Sequence, residues 1–229
     1  MQEFDTLFQR YDKLFLFDTE TTGLRYDRDE IIEFAAVVVE AQNGKAVITR
    51  EYDQLITLSP GMLVPPEIVK LTGITNEDIR LKGISKTRVC RDIGEMIAGN
   101  TLLLAYNAHF DLSFLFYLLL QDGDPAILKG KDKLDLLTVY KDRKPYPHRL
   151  CNAIDAYGLS GEVVNSHRAV DDVIATEAVM REMEKEKADL ERYINLFGYN
   201  AKYGIGGKPI GSVTYKPQSF DPPAPLYTL

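Results

Sequence analysis

The chain has 229 residues, 45% of them hydrophobic and 27% charged, with a formal net charge of −7. That length and composition suit one sizeable packed domain with a tail and exclude wholesale disorder. The acidic balance is a poor match for a protein that grips long duplex DNA by neutralising many phosphates, but it suits an enzyme whose acids recruit metal ions and so reverse the local field.

No window approaches the roughly 18–20 continuous apolar residues of a membrane span. The start, Met1 to Asp5, lacks the basic and apolar run of a signal peptide, so a cytoplasmic location is expected. Cys90 and Cys151 sit in helix-like apolar patterns and are expected as buried thiols rather than a disulfide; no Cys/His spacing suggests zinc.

In chain order, Lys13–Asp18 is a short apolar run expected as a buried strand, and Glu30–Val39, rich in β-branched residues, as a second. Ala46–Leu58 follows the turn signal Asn43-Gly44 as a third, and the short connections favour an antiparallel meander. Helices are then expected from Pro66 to about Leu71, ended by Gly73, over Asn76–Ile79, and over Ser85–Ala98 with Ser85 as cap and Gly99 as stop. Thr101–Ala105 is a buried strand, and Phe110–Gln121 a helix apolar nearly all round. Lys133–Leu136 is a fifth strand leading into a helix toward Lys141, and Arg149–Tyr157 is a helix ended by Gly158. The longest helical stretch runs from Arg168 to about Leu196, with Val170, Val173, Ile174 and Ala178 as its apolar stripe and a charged, solvated second half. Three strands followed by alternating helices and strands imply an α/β domain with a mixed sheet flanked by helices.

Asp18-Thr19-Glu20-Thr21-Thr22-Gly23-Leu24 is the most informative segment. Residues two apart on a strand share a face, so Asp18 and Glu20 aim at one spot, and like charges there need a cation. All-oxygen ligands suit magnesium or manganese. A solvent-exposed strand end carrying ordinary surface acids is the competing reading. Asp111 lies early in its helix, in Asn107-Ala108-His109-Phe110-Asp111, and His167-Arg168-Ala169-Val170-Asp171-Asp172 opens the long helix. Acids at helix starts are common as dipole partners, so each is weak alone. Asp172 adjoins the apolar stripe at Val173, whereas Asp171 reads as a solvated charge.

Together, Asp18-x-Glu20, Asn107-x-x-x-Asp111 and His167-x-x-x-x-Asp172 resemble the three motifs of the DEDD exonuclease superfamily. The histidine placed before the last aspartate marks the DEDDh (DnaQ-like) branch. Within it the chain is similar to the epsilon-type and PolC-type proofreading exonucleases of bacterial replication, over roughly Leu14 to Met180. The segment Pro65-Pro66-Glu67-Ile68 through Leu71-Thr72-Gly73-Ile74-Thr75 is similar to a family region after the third strand. The family often has histidine where Tyr106 stands, which bears on subfamily more than on activity.

The resemblance implies a ribonuclease H-like fold and a 3′–5′ exonuclease of single-stranded DNA ends, in proofreading or repair. It implies that Asp18, Glu20, Asp111 and Asp172 hold two Mg2+ ions, for which Mn2+ substitutes, and that His167 is the general base. Two metals roughly 3.5–4 Å apart serve the attacking and leaving oxygens of an in-line displacement, and the imidazole's ordinary pKa of about 6.5 suits proton uptake near neutrality. It further implies that Glu20 and the backbone around Thr21 and Thr22 contact the terminal 3′ hydroxyl, that Leu24 wedges against the terminal base, and that Asn107 belongs to the substrate site. Phe110 and Phe114 could pack on base or sugar, with Phe114 favoured as core. His109 fits no base role, and His148 reads as a loop residue.

Residues 1–198 are expected as the exonuclease domain and 199–229 as an extended tail. The tail interleaves Lys202, Lys208 and Lys216 with Tyr199, Tyr203, Tyr215, Phe220 and Tyr227. It reads either as a strap on its own domain or as an arm for a polymerase, another protein or nucleic acid. Two rivals to the DNA exonuclease stay open: an exoribonuclease of the same fold, told apart by 2′-hydroxyl contacts, and a non-catalytic nucleic-acid-binding module.

Overall fold

The computed structural model describes residues 4–197 and the backbone of 216–217. Expectations for the tail from Tyr199 onward, including the domain boundary at 198, lie outside the described residues, apart from a two-residue pairing given below.

Five strands form one mixed sheet in the order β3-β2-β1-β4-β5. β1 (Lys13–Thr21), β2 (Ile31–Gln42) and β3 (Lys45–Leu55) make the expected antiparallel meander, while β4 (Thr101–Ala105) and β5 (Lys133–Asp135) add in parallel beyond β1. β1 and β2 are central strands, which explains why they read as continuous apolar runs. Both faces are covered. On one, Leu14, Leu16, Ala35 and Val37 pack against Val173, Val179 and Met180 of α8 (Ala169–Glu186) and against α6 (Leu136–Arg143) and α7 (Leu150–Ala156). On the other, Phe15, Phe17 and Phe34 stack with ring centroids 5.6–6.5 Å apart. They pack there against α4 (Lys86–Met96) and α5 (Ala108–Asp122). A smaller cluster of Ile32, Val64, Ile74 and Ile79 seats α2 (Pro66–Thr72) and α3 (Asn76–Lys82), and α1 (Asp5–Phe8) closes the first face through Leu7.

The sheet is the ribonuclease H-like mixed sheet expected. Helix boundaries follow local chemistry: Ser85 caps α4, and α2 begins at Pro66 and ends at Gly73 with φ 74°. β1 is longer than the apolar run, because pairing with β2 carries it through Glu20 to Thr21, with a register shift between those two.

Four expectations need correction. The long helix stops at Glu186, followed by a 3-10 turn at Leu190–Tyr193 rather than more helix. Arg143 ends it, donating to the Met183 carbonyl at 2.6 Å and to Asp189 Oδ1 at 2.5 Å. The charged half is therefore not simply a solvated face: Met183, Asp189 and Leu190 are buried. The stripe of α8 is also shifted. Ala169, Val173, Thr176, Met180 and Met183 are buried, while Val170, Ile174 and Ala178 are only half-buried. Both thiols are free, but only Cys90 is buried; Cys151 is half-buried. Near the chain's end, β6 (Leu196–Phe197) pairs in parallel with β7 (Lys216–Pro217). No helix among the described residues is long and apolar enough to cross a membrane.

Candidate active site

β1 outruns its parallel neighbour. Pairing with β4 ends at Leu16↔Leu104, whereas pairing with β2 continues to Thr21. Past Leu16 the β4-side edge of β1 is open, and α5 fills it. The Thr19 N–H and hydroxyl both donate to Asp111 Oδ1, at 3.1 and 2.8 Å. The first-turn acid of α5 thus completes the sheet edge while standing beside Asp18 and Glu20. Asp111 is 3% exposed, far from the solvated dipole partner that its position alone would suggest.

Asp18 and Glu20 alternate with Leu14 and Leu16 on the face covered by α8. That helix supplies Asp172 in its first turn, 7% exposed, whereas Asp171 is half-buried and accepts from the Ser166 hydroxyl. Asn165 Nδ2 donates to Asp172 Oδ2 at 2.6 Å, and the other oxygen, Oδ1, is buried with no hydrogen-bond partner among the described residues. His167 is exposed, in a left-handed backbone conformation with φ 59°. Ligand atoms of Glu20, His167 and Asp172 lie within 4.8 Å of one another.

The acids crowd each other electrostatically. Burial, then Asp111, Asp172, Glu20 and Glu33, hold the Asp18 carboxyl well above the usual carboxylate range. Burial, followed by Asp172, Glu33 and Asp111, pushes Glu20 up to about 8. Asp111 is pushed up to about 7 by burial, against the lowering effect of its bonds from Thr19. Burial also raises Asp172, against Asn165 and His167, which lower it. Ionising all four together is unfavourable, and a cation among them would relieve the repulsion. With Asp172 Oδ1 unpartnered, the donor set fits a hard divalent cation.

The surrounding expectations fare unevenly. Leu24 stands out at 84% exposed, and Asn107 is exposed at φ 75°. Thr21 and Thr22 are buried and turned to the loop: the Thr21 hydroxyl donates to the Gly23 carbonyl, the Thr22 hydroxyl accepts from the Glu30 N–H, and the Thr22 N–H donates to the Glu30 carbonyl. Those hydroxyls and that N–H are committed to holding the 22–30 loop closed. Phe110 is half-buried with its ring 4.9 Å from that of Phe114, which is core as favoured. His148 sits in the loop after α6, its Nε2 at 2.9 Å from the Lys144 carbonyl.

Sequence reading missed the groups that hold the site. Thr19 and Asn165 clamp two of the acids. Asp135, 5% exposed, accepts from the N–H groups of Asn107, Ala108 and Leu137 and from the Thr138 hydroxyl, so one carboxylate caps both α5 and α6. Glu33, fully buried on β2, binds Arg168 and the Ala169 N–H at the start of α8. The one available signal was an acid within the apolar run Ile31–Val39.

Residues 15–180 match the family model for exonucleases of the RNase T type. The DNA polymerase III subunit epsilon of Treponema pallidum (strain Nichols) is 35% identical over 161 residues, 68% of this chain and 69% of that protein. The PolC-type DNA polymerase III of Bacillus subtilis (strain 168) is 34% identical over 180 residues, 76% of this chain but only 12% of the polymerase. Among solved structures, exonuclease I superposes with TM-score 0.70 at 25% identity, over 80% of this chain and 43% of that one. The E. coli enzyme in complex with a dA16 oligonucleotide gives TM-score 0.68 at 22% identity, over 80% of this chain and 42% of that one.

Proposed function

Because the chain belongs to the exonuclease family and is a 3′–5′ exonuclease, we propose that it hydrolyses terminal phosphodiester bonds of single-stranded DNA, releasing nucleoside monophosphates in proofreading or repair. One set of contacts supports this reading: ligand atoms of Glu20, His167 and Asp172 lie within 4.8 Å of one another, Thr19, between Asp18 and Glu20 on β1, holds Asp111, and Asp172 Oδ1 is buried with no partner among the described residues.

Those four carboxylates would hold Mg2+, with Mn2+ able to substitute. Bound there, the ions would neutralise the acids and supply Lewis-acid activation of water and of the leaving oxygen. The chain's own residues do the rest. Thr19 and Asn165 fix Asp111 and Asp172 in place. His167, exposed at the loop before α8, takes the proton of the attacking water at a ring nitrogen. Leu24, an exposed apolar side chain, would meet the terminal base, and Phe110 and Asn107, at the start of α5, would contact the substrate. Thr21 and Thr22 serve by shaping the loop that carries Leu24. The tail from Tyr199 would either strap back on its own domain or reach a polymerase, another protein or nucleic acid.

An end-labelled panel of single-stranded DNA, duplex DNA, duplexes with mismatched 3′ ends, and RNA, each with and without Mg2+, tests the proposal. Mg2+-dependent shortening from the 3′ end, faster on unpaired DNA, is expected. Faster trimming of matched RNA would move the assignment to the exoribonuclease, and no cleavage with Mg2+ or Mn2+ would leave a binding module.

A further inference from the structure

We propose that Glu33 and Arg168 form a positioning clamp that sets the place of His167. Glu33 is 0% exposed and lies on β2 directly across from Glu20 in the β1–β2 register. Its Oε1 and Oε2 accept from Arg168 Nε at 2.9 and 3.2 Å, and Oε1 also accepts from Arg168 Nη2. Oε2 takes the Ala169 N–H at 2.8 Å. The side chain and the following N–H are therefore both pinned to one carboxylate, a charge-assisted fork of fixed geometry.

His167 is the residue just before this anchor. On its other side, Ser166 is tied to Asp171 and Asn165 to Asp172. The histidine itself is exposed and in a left-handed conformation, uncommon outside glycine, that costs some stability and is held by its neighbours here. Anchors on both sides supply that constraint. Because Glu33 shares a rung of the sheet with Glu20, the loop carrying His167 is referenced to the same backbone that carries an acid of the site. A fully buried carboxylate inside a strand would be costly without such a use.

This inference rests on the reading of His167 as general base, and the experiment separates the two. Steady-state kinetics on an end-labelled single-stranded oligonucleotide with Mg2+ compare Glu33→Gln, Arg168→Gln, His167→Ala and each clamp variant combined with His167→Ala. A positioning role predicts that Glu33→Gln lowers kcat by about 10–100-fold. KM should stay within about twofold, since the clamp acts through His167 rather than on the substrate. It also predicts that adding Glu33→Gln to His167→Ala lowers kcat little further, because both act through one imidazole. Losses that multiply, or a KM rising as kcat falls, overturn the clamp and leave the base role standing. Wild-type turnover by His167→Ala overturns the base reading, and the clamp with it. Should Glu33→Gln fail to fold, Arg168→Gln, at a side chain 40% exposed, makes the same test from the solvent side. Failure of both to fold would assign the pair to the scaffold and defeat the proposal.

Discussion

The hydroxyl and the backbone N–H of Thr19 converge on a single oxygen of Asp111, 92 residues away. The contact joins the overhanging end of β1 to the first turn of α5, and so fixes one acid of the site against the strand that bears two others. Thr19→Val keeps the shape and deletes the hydroxyl donor. It should cost about 1–3 kcal/mol of stability and raise the Mg2+ concentration for half-maximal cleavage. Urea denaturation and a Mg2+ titration of activity check both; an unchanged Mg2+ midpoint would mean that Thr19 only braces the fold.

The crowded acids make metal-free stability depend on pH. Glu20 sits at about 8 in the folded chain against an ordinary 4.5, and Asp111 at about 7 against 3.8. Between those limits the folded state holds protons that the unfolded chain releases, so stability present at low pH is lost as pH rises. In chelator the Tm should fall between pH 5 and pH 8 (approximate limits set by those shifts). Added Mn2+ should raise Tm more at the upper end. Thermal scans with EDTA and with Mn2+ give the answer, and a Tm that climbs with pH in EDTA would contradict the crowding.

Asp18→Asn removes one charge from the most crowded position. Turnover should fall by about 10³-fold or more. In chelator near neutral pH the variant should nonetheless melt higher than the parent, because Asp18 must take up a proton on folding or carry a repelled charge, and Asn does neither. A variant that is both inactive and less stable would place Asp18 in the scaffold instead.

His167→Ala should lower kcat by about 10²–10⁴-fold and leave the Mn2+-induced rise in Tm intact. The imidazole lies within 4.8 Å of ligand atoms of Glu20 and Asp172, so it could also sit on an ion. Loss of the Mn2+ effect in the variant would identify His167 as a ligand rather than the base.

Asp135→Ala strips the cap from two helix starts at once. Its carboxylate takes the N–H groups of Asn107, Ala108 and Leu137 and the Thr138 hydroxyl, all at 2.7–3.2 Å. With buried donors left unmatched, a loss of about 2–4 kcal/mol is expected. Amide exchange should quicken at the beginning of α5, and equal protection in variant and parent would refute the dual cap.

The sequence by itself determined the strand meander and the later alternation of helices and strands, and it singled out the candidate acids and histidine. These are written in local patterns: apolar runs, turn and cap residues, and short spacings such as Asp18-x-Glu20 and His167-x-x-x-x-Asp172. Only the tertiary structure decided what holds them. Thr19 meets Asp111, Glu33 meets Arg168 and Arg143 meets Asp189 across 92, 135 and 46 residues. The same holds for the end of α8 and for the commitment of Thr21 and Thr22 to their loop. Periodicity reports how a residue faces its near neighbours along the chain, whereas a buried carboxylate's partner is chosen by whichever donor the packed sheet and helices bring to it.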